Sequence, residues 1–434
     1  MNMDSLWTKT ARLPRFAPLK KDIRTDVLII GGGMAGLLCA YFLQQAGVDY
    51  VLVEADRICG GVTGNTTAKI TAQHGLIYDK LIREWGEEKA KLYLRANENA
   101  VEHFKSLAKD IDCGLEEQDN WVYSMDDAQK IQREQAALRQ LGFCAPAVPN
   151  VPLPLSVARA ICFPAQAQFH PLLFAAAISR DLHIHEHTKV KELSPHKAVT
   201  DSGTIHAKRM VIATHFPILN KHGGYFIKMY QHRSYVLALQ DAQTLDGMYV
   251  DEAQSGLSFR SYGDVLLLGG GSHRTGKQGG AWRELEAFAR THYPQAKEVC
   301  RWAAQDCMTL DGMPYIGQYS RRTEGLYVAT GFNKWGMSAS MVAAELLRDL
   351  LIGEKNEYEE LFSPSRRLCR SQLALNAVEA TRSLLSPTTP RCPHLGCALK
   401  YNKDEHSWDC PCHGSRFGED GKLLDGPATD DKQL

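Results

Sequence analysis

Four of the twelve cysteines, Cys392, Cys397, Cys410 and Cys412, fall within 21 residues, beside His394 and His413. Thiolate sulfur and imidazole nitrogen are the atoms that hold zinc and iron–sulfur centres. In a chain read as intracellular, such a cluster points to metal before it points to a disulfide framework. The two half-motifs, Cys392-Pro393-His394 and Cys410-Pro411-Cys412-His413, each contain cysteine and histidine. Zinc remains the alternative metal, although zinc spacings usually put cysteine with cysteine and histidine with histidine. The other eight cysteines (Cys39, Cys59, Cys113, Cys144, Cys162, Cys300, Cys307 and Cys369) have no paired spacing and read as small hydrophobes.

A second chemical signal lies near the front. Gly31-Gly32-Gly33-Met34-Ala35-Gly36 follows the apolar run Asp26-Val27-Leu28-Ile29-Ile30 and opens a helical stretch from Leu37 to Ala46. Gly31 permits a tight turn, Gly33 lets backbone approach a pyrophosphate, and Gly36 allows close helix–strand packing. A second strand, Tyr50-Val51-Leu52-Val53, ends at Glu54, an acceptor for ribose hydroxyls. Strand, glycine turn, helix, strand and acid in register imply dinucleotide binding. A glycine- and hydroxyl-rich loop, Gly60 to Lys69, comes next.

The elements around these motifs suggest more than one unit, since 434 residues exceed one ordinary core. The apolar run before the glycines is that of a strand buried on both faces of a parallel sheet. Residues 79–141 are mostly helical in pattern, with Tyr93, Ala96, Ala100, Phe104 and Leu107 at three- and four-residue steps. Short β-prone runs between Tyr225 and Leu268, divided by turn signals, predict an antiparallel sheet. Ser386-Pro387-Thr388-Thr389-Pro390 reads as linker. The expected fold is α/β (α+β overall): a Rossmann-like part with an antiparallel-sheet substrate part, then a small β-type lobe. The boundaries expected are 1–355 (dinucleotide-binding parts 22–78, 155–215 and 305–355; substrate part 79–154 and 216–304), linker 356–387 and lobe 388–434.

Composition excludes several classes. Hydrophobic residues make up 44% and charged residues 23%, as in a globular protein, and Lys+Arg equals Asp+Glu at 50 each. No basic excess suggests a nucleic-acid partner. No run of eighteen apolar residues suggests a transmembrane segment, and Met1 to Lys20 lacks a secretory apolar core. The expectation is a cytoplasmic protein, with peripheral contact at the inner membrane face left open.

The front motifs resemble the D-amino-acid-oxidase/glycine-oxidase-like flavoproteins. The Gly60–Lys69 loop is similar to their flavin-contacting loop. Met210–Thr214 resembles a late strand ending in Ala-Thr at the flavin, with His215 where the family has glycine. Asp311–Gly317 resembles the family's Asp-Gly-x-Pro-x-x-Gly turn. Leu326–Gly331 with Gly336-Met337-Ser338 resembles the final strand and glycine turn, after which a helix from about Ser338 to Leu351 aims its N-terminus at the flavin. The resemblance implies FAD, with contacts at Gly31, Gly33, Met34, Ala35, Gly36, Glu54, Thr66, Thr67, Ala68, Lys69, Val190, Ala213, Thr214, Asp311, Gly331, Gly336 and Met337. Gly269-Gly270-Gly271-Ser272-His273-Arg274 lacks the third glycine of a second, NAD(P)H-binding fingerprint.

The back resembles a Rieske [2Fe–2S] domain. The resemblance gives Cys392 and Cys410 to one iron and His394 and His413 to the other, and neutral imidazoles raise the potential to roughly −150 to +300 mV. It also implies a disulfide between Cys397 and Cys412, as in Rieske proteins of the quinol-oxidising type, and a covering proline loop at Gly426-Pro427-Ala428. The lobe looks shortened at its front. The whole chain, including Ser5-Leu6-Trp7 and Thr66–Lys69, resembles FAD-dependent amine or amino-acid oxidoreductases fused to a C-terminal Rieske domain.

That resemblance implies an enzyme, a dehydrogenase more than an oxidase. A C–H bond next to nitrogen in a small amine or amino acid would pass a hydride to flavin N5. Electrons would move singly to the cluster and on to an external quinone, cytochrome or other carrier. The alternatives are a reductase with electrons entering at the cluster, and a redox sensor or carrier without its own substrate. Candidate catalytic residues are Arg260 for a substrate carboxylate, and His74, Lys334 and Trp335 facing the flavin. Covalent attachment of FAD stays open.

Overall fold

The computed structural model describes residues 4–219, 222–253, 256–368 and 390–432. Most of the expected linker, including Ser386 to Thr389, and Cys369 lie outside the described residues.

The run Ile23–Ile30 forms the middle of a parallel arrangement, its last four residues all buried. It pairs in parallel with Tyr50–Val53 on one side and Thr204–Ile212 on the other. Leu326–Thr330 continues the parallel order beyond Thr204–Ile212. All three C-terminal ends therefore point the same way as the glycine turn after Ile30. The helices Met34–Gln45 and Gly336–Ile352 pack against each other on this sheet. Gly36 allows the first of them to lie close, because a Cβ there would sit 1.9 Å from the Gly31 carbonyl oxygen.

A nine-stranded sheet runs Lys297–Thr309, Met229–Gln240, Val265–Arg274, Ser258–Tyr262, Met248–Asp251, Glu116–Ser124, Arg159–Gln168, Lys69–Ile70, with Ala147–Val148 beside Arg159–Gln168. It departs from the sequence expectation in three ways. Glu116–Ser124 is a strand inside the stretch read as helical, because it finds partners on both edges. One of those pairings, to Met248–Asp251, is parallel, so the sheet is not wholly antiparallel. Arg159–Gln168, expected with the dinucleotide-binding part, belongs here instead. Non-local pairing decided all three, and a single segment's periodicity carries no record of its partner. The glycines 269–271 lie within a strand that runs on to Arg274, not in a phosphate-binding turn.

The third sheet is a small antiparallel meander, Lys400–Asn402, Ser407–Asp409, Arg416–Gly418 and Leu423–Asp425. Its core consists of Cys392, Cys397, Leu399, Cys410, Cys412, Phe417 and Ala428. Among the described residues, every strand of this lobe follows the first cysteine loop. The lobe packs on Met229–Gln240 and Lys297–Thr309, where ion pairs and hydrogen bonds join the two. Among the described residues, no helix is long and apolar enough to cross a membrane.

Candidate active site and metal centre

The C-terminal ends of the parallel strands open into a cavity of about 800 Å³. Gly31 sits at its base with φ +111°, where a Cβ would approach the Ala213 carbonyl oxygen to 2.6 Å. The helix that follows begins at Gly33 without a side-chain cap. Met34 N–H donates to Thr63 Oγ1 (3.0 Å) at this helix start, and backbone N–H groups at a helix N-terminus are suited to a pyrophosphate. Glu54 lines the same cavity, accepting from the backbone N–H of Gly32 (2.7 Å) and Asp56 (2.9 Å). Burial raises its carboxyl above the usual range.

Most of the cofactor candidates face this cavity: Gly31, Gly33, Met34, Ala35, Glu54, Thr66, Thr67, Lys69, Val190, Ala213, Thr214, Gly331, Gly336 and Met337. Gly36, Ala68 and Asp311 are not among its lining residues. Gly36 acts through helix packing. Ala68 holds a left-handed backbone (φ +55°) and offers its carbonyl to Arg260. Asp311 is taken up by a buried bidentate pair with Arg366 at 2.7 and 2.9 Å, so its carboxylate ties down the segment after the last helix.

Arg260 is likewise not placed for a substrate carboxylate. It is fully buried, and its Nη1 donates to the carbonyls of Thr67 (2.7 Å) and Ala68 (2.9 Å). Its guanidinium also stacks near Trp7 and Tyr262. Arg260 therefore braces the Thr66–Lys69 loop from beneath. Lys69 does reach the cavity, and burial together with Arg260 pushes its ammonium down to about 7.

His74 lines the cavity with both ring nitrogens engaged. Nδ1 lies 2.6 Å from the Tyr93 hydroxyl, and Nε2 lies 2.9 Å from Thr71 O and from Ser338 Oγ. Burial lowers its pKa to about 3, so the ring is neutral. Trp335 stacks on it at 5.2 Å and shares the wall with Lys334. Asp306, which sequence reading missed, also lines the cavity. Burial raises its carboxyl to about 6, against the pull of Lys334. Its only sequence signal was an acid inside a strand-prone run.

The two cysteine loops share one backbone pattern. Cys392 N–H donates to Cys397 O and Gly396 N–H to Cys392 O; Cys410 N–H donates to Ser415 O and Gly414 N–H to Cys410 O. Gly396 and Gly414 hold matching left-handed backbones at φ +78° and +86°. The loops therefore present equivalent positions toward each other. The Cys392 and Cys410 thiols are in hydrogen-bond contact, and the His394 and His413 rings lie 5.0 Å apart. A disulfide joins Cys397 to Cys412. The atoms of Cys397, Cys410, Cys412 and His413 also fall within 4.8 Å of one another, but the disulfide removes two of these as thiolate ligands. His413 Nδ1 is buried without a hydrogen-bond partner, a cost that a metal bond would remove. The remaining donors, two sulfurs and two imidazoles, fit an iron–sulfur centre.

The loops differ in setting. Pro411 to Arg416 is buried throughout, against the nine-stranded sheet, whereas Pro393 and Leu395 are exposed and His394 is half-buried. The His413 ring meets Phe226 edge-on at 5.9 Å.

Comparison with known proteins agrees with both halves. The family profile described as FAD dependent oxidoreductase (DAO) matches residues 26–350, and that of the Rieske [2Fe-2S] domain matches 353–433. The chain belongs to the FAD dependent oxidoreductase (DAO) family. It is a DAO-family oxidoreductase with a fused Rieske domain, and its cofactors are FAD and a [2Fe–2S] cluster. The Bacillus subtilis "Putative Rieske 2Fe-2S iron-sulfur protein YhfW" is 34% identical over 98% of this chain and 96% of its own length. The Escherichia coli gamma-glutamylputrescine oxidoreductase is 24% identical, over 79% of this chain and 87% of that protein. The glycine oxidase structure from Geobacillus kaustophilus superimposes with a TM-score of 0.66 at 22% identity, covering 80% of this chain and 100% of that one. This last likeness concerns the DAO fold.

Proposed function

We propose that the protein is a dehydrogenase for a small amine or amino acid, relaying electrons from FAD to its Rieske cluster and then to an external one-electron acceptor. The observation that carries the relay is Gln305. Its side chain donates to Gly414 O at 2.8 Å, one residue from the ligand candidate His413, and the same residue lines the cavity. One residue thus connects the cavity wall to the inner cluster loop.

When bound, FAD would supply the two-electron acceptor for the hydride on the carbon next to nitrogen and the one-electron donor to the cluster, the net change being an amine converted to an imine with two electrons and two protons released. The chain's own residues do the rest. The stacked His74 and Trp335 form an apolar-faced wall, and the neutral ring keeps a second charge out of it. Asp306 and Lys334 are the polar pair that would orient a substrate amine, since each lines the cavity and shifts the other's charge balance. The name of the E. coli relative, an oxidoreductase of an alkylamine, supports this substrate class. The exposed Pro393–Leu395 edge supports an outlet to an acceptor on the solvent side.

The test is anaerobic addition of amines and amino acids to the holoprotein, following flavin absorbance and the electron paramagnetic resonance (EPR) of the cluster. A substrate that bleaches the flavin and then gives a reduced cluster signal is expected. Bleaching without cluster reduction would remove the relay. A flavin that responds only to a reduced carrier would reverse its direction.

A further inference from the structure

The strand Met229–Gln240 turns Gln231, Arg233 and Tyr235, alternate residues on one face, toward the cluster-binding lobe. Arg233 grips Glu405 with Nε on Oε1 at 3.0 Å and Nη2 on Oε2. Both side chains are buried, at 5% and 1% exposure. The Tyr235 hydroxyl donates to the same carboxylate at 2.9 Å. Glu405 stands in the turn between the lobe's first two strands.

Burying such a pair adds little net stability, because desolvation offsets the attraction. A two-bond fork does fix distance and angle together. Glu405 does not need Arg233 to be satisfied, since Arg416 of its own lobe already donates to it at 2.8 Å. Arg416 also serves Asp409 (3.0 Å) and Asp425 (2.9 Å). The lobe alone thus buries one arginine among three carboxylates, and the strand supplies the further cation. Burial works to raise the Glu405 carboxyl, yet Arg233 and Arg416 hold it down at about 2.

The grip acts beside the cluster loop. Arg233 and Gln305 are directly opposite on paired strands, and Gln305 holds Gly414 O. Gly414 presses so closely on Gln231 that a Cβ would lie 2.2 Å from its side chain, and a Cβ at Gly276 would lie 2.6 Å from Pro411.

We infer that Arg233 is a positioning residue: its fork on Glu405 fixes the lobe in the orientation that holds the Gly414 loop on Gln305, a residue of the cavity wall, and electron exchange between the two centres depends on it. This rests on the relay proposed above.

The test needs no substrate. In full-length holoprotein carrying Arg233→Met or Arg233→Lys, bound flavin is photoreduced anaerobically with a sacrificial amine, and the cluster signal is followed by rapid-freeze EPR. Arg233→Met is expected to keep its FAD and its dithionite-reduced cluster spectrum while flavin-to-cluster transfer slows about tenfold, about 1.4 kcal/mol in the barrier. Arg233→Lys, which keeps charge without the fork, should be intermediate. Transfer at the wild-type rate in Arg233→Met overturns the inference. If the wild type itself shows no transfer, the relay has failed, and amide exchange then judges the latch: faster exchange across 229–240 and 400–409 in Arg233→Met supports it, and unchanged exchange overturns it. Should Arg233→Met not fold, Glu405→Gln gives the same readouts.

Discussion

Arg233 and Gln305 face each other across paired strands, and from that one row they reach Glu405 and Gly414 of the cluster-binding lobe. The lobe is therefore built onto the sheet that walls the flavin cavity, and its loop from Leu424 to Thr429 completes part of that wall. The consequences can be measured residue by residue.

Cys392 and Cys410 are the proposed thiolate ligands of the cluster. Cys410→Ser should abolish the iron content and the reduced EPR signal of the lobe while the flavin absorbance stays. Retention of a full-strength signal would remove Cys410 from the ligand set.

The helix start is intolerant of a methyl group. Gly36→Ala places a Cβ 1.9 Å from Gly31 O, forcing the helix off the strand. A loss of about 1–3 kcal/mol in stability is expected, with weaker FAD binding read by flavin fluorescence on dilution. Wild-type stability and affinity together would contradict the packing described.

Arg260 braces a loop and does not hold a substrate. Arg260→Met should leave the carbonyls of Thr67 and Ala68 unpaired, costing about 1–3 kcal/mol, and should speed FAD release. The substrate KM of reconstituted enzyme should move little. A large KM increase with unchanged FAD affinity would return Arg260 to the substrate.

His74 makes stability depend on acid. Its folded pKa of about 3 lies below the ordinary value, so the unfolded chain binds the extra proton as pH drops. The contribution is intact above about pH 6.5 and is lost progressively from there toward pH 3. Between pH 7.5 and 5.5, wild type should lose about 1.4 kcal/mol more than His74→Asn. Urea midpoints at the two pH values measure this, and equal losses would show the ring to be accessible.

The outer cluster edge should serve the acceptor. Leu395 is 41% exposed beside His394. Leu395→Asp should slow reoxidation of the reduced cluster by cytochrome c about fivefold, about 1 kcal/mol. Met125→Asp, at a 49% exposed site next to the strand Glu116–Ser124 of the nine-stranded sheet, is the control. Equal effects from both would deny a specific outlet.

Local chemistry was legible in the amino-acid order. The glycine turn after Ile30, the acid at Glu54 and the paired Cys/His loops are short motifs whose residue types are dictated by backbone geometry or ligand chemistry within a few positions. Those constraints survive in a linear string. The burial of Arg260 beneath Thr67, the capture of Asp311 by Arg366, and the strand at Glu116–Ser124 were not legible, because each depends on a partner tens to more than a hundred residues away. A charged side chain reads the same in sequence whether it faces a ligand or a neighbouring carbonyl.

The sequence by itself determined that a dinucleotide site stands at one end of the chain and a Cys/His metal site at the other. Only the tertiary structure decided that the two meet. The seam is made of Arg233, Gln305, Glu405 and Gly414, which carry no motif and become a joint only when two sheets fold and their buried charges find one another.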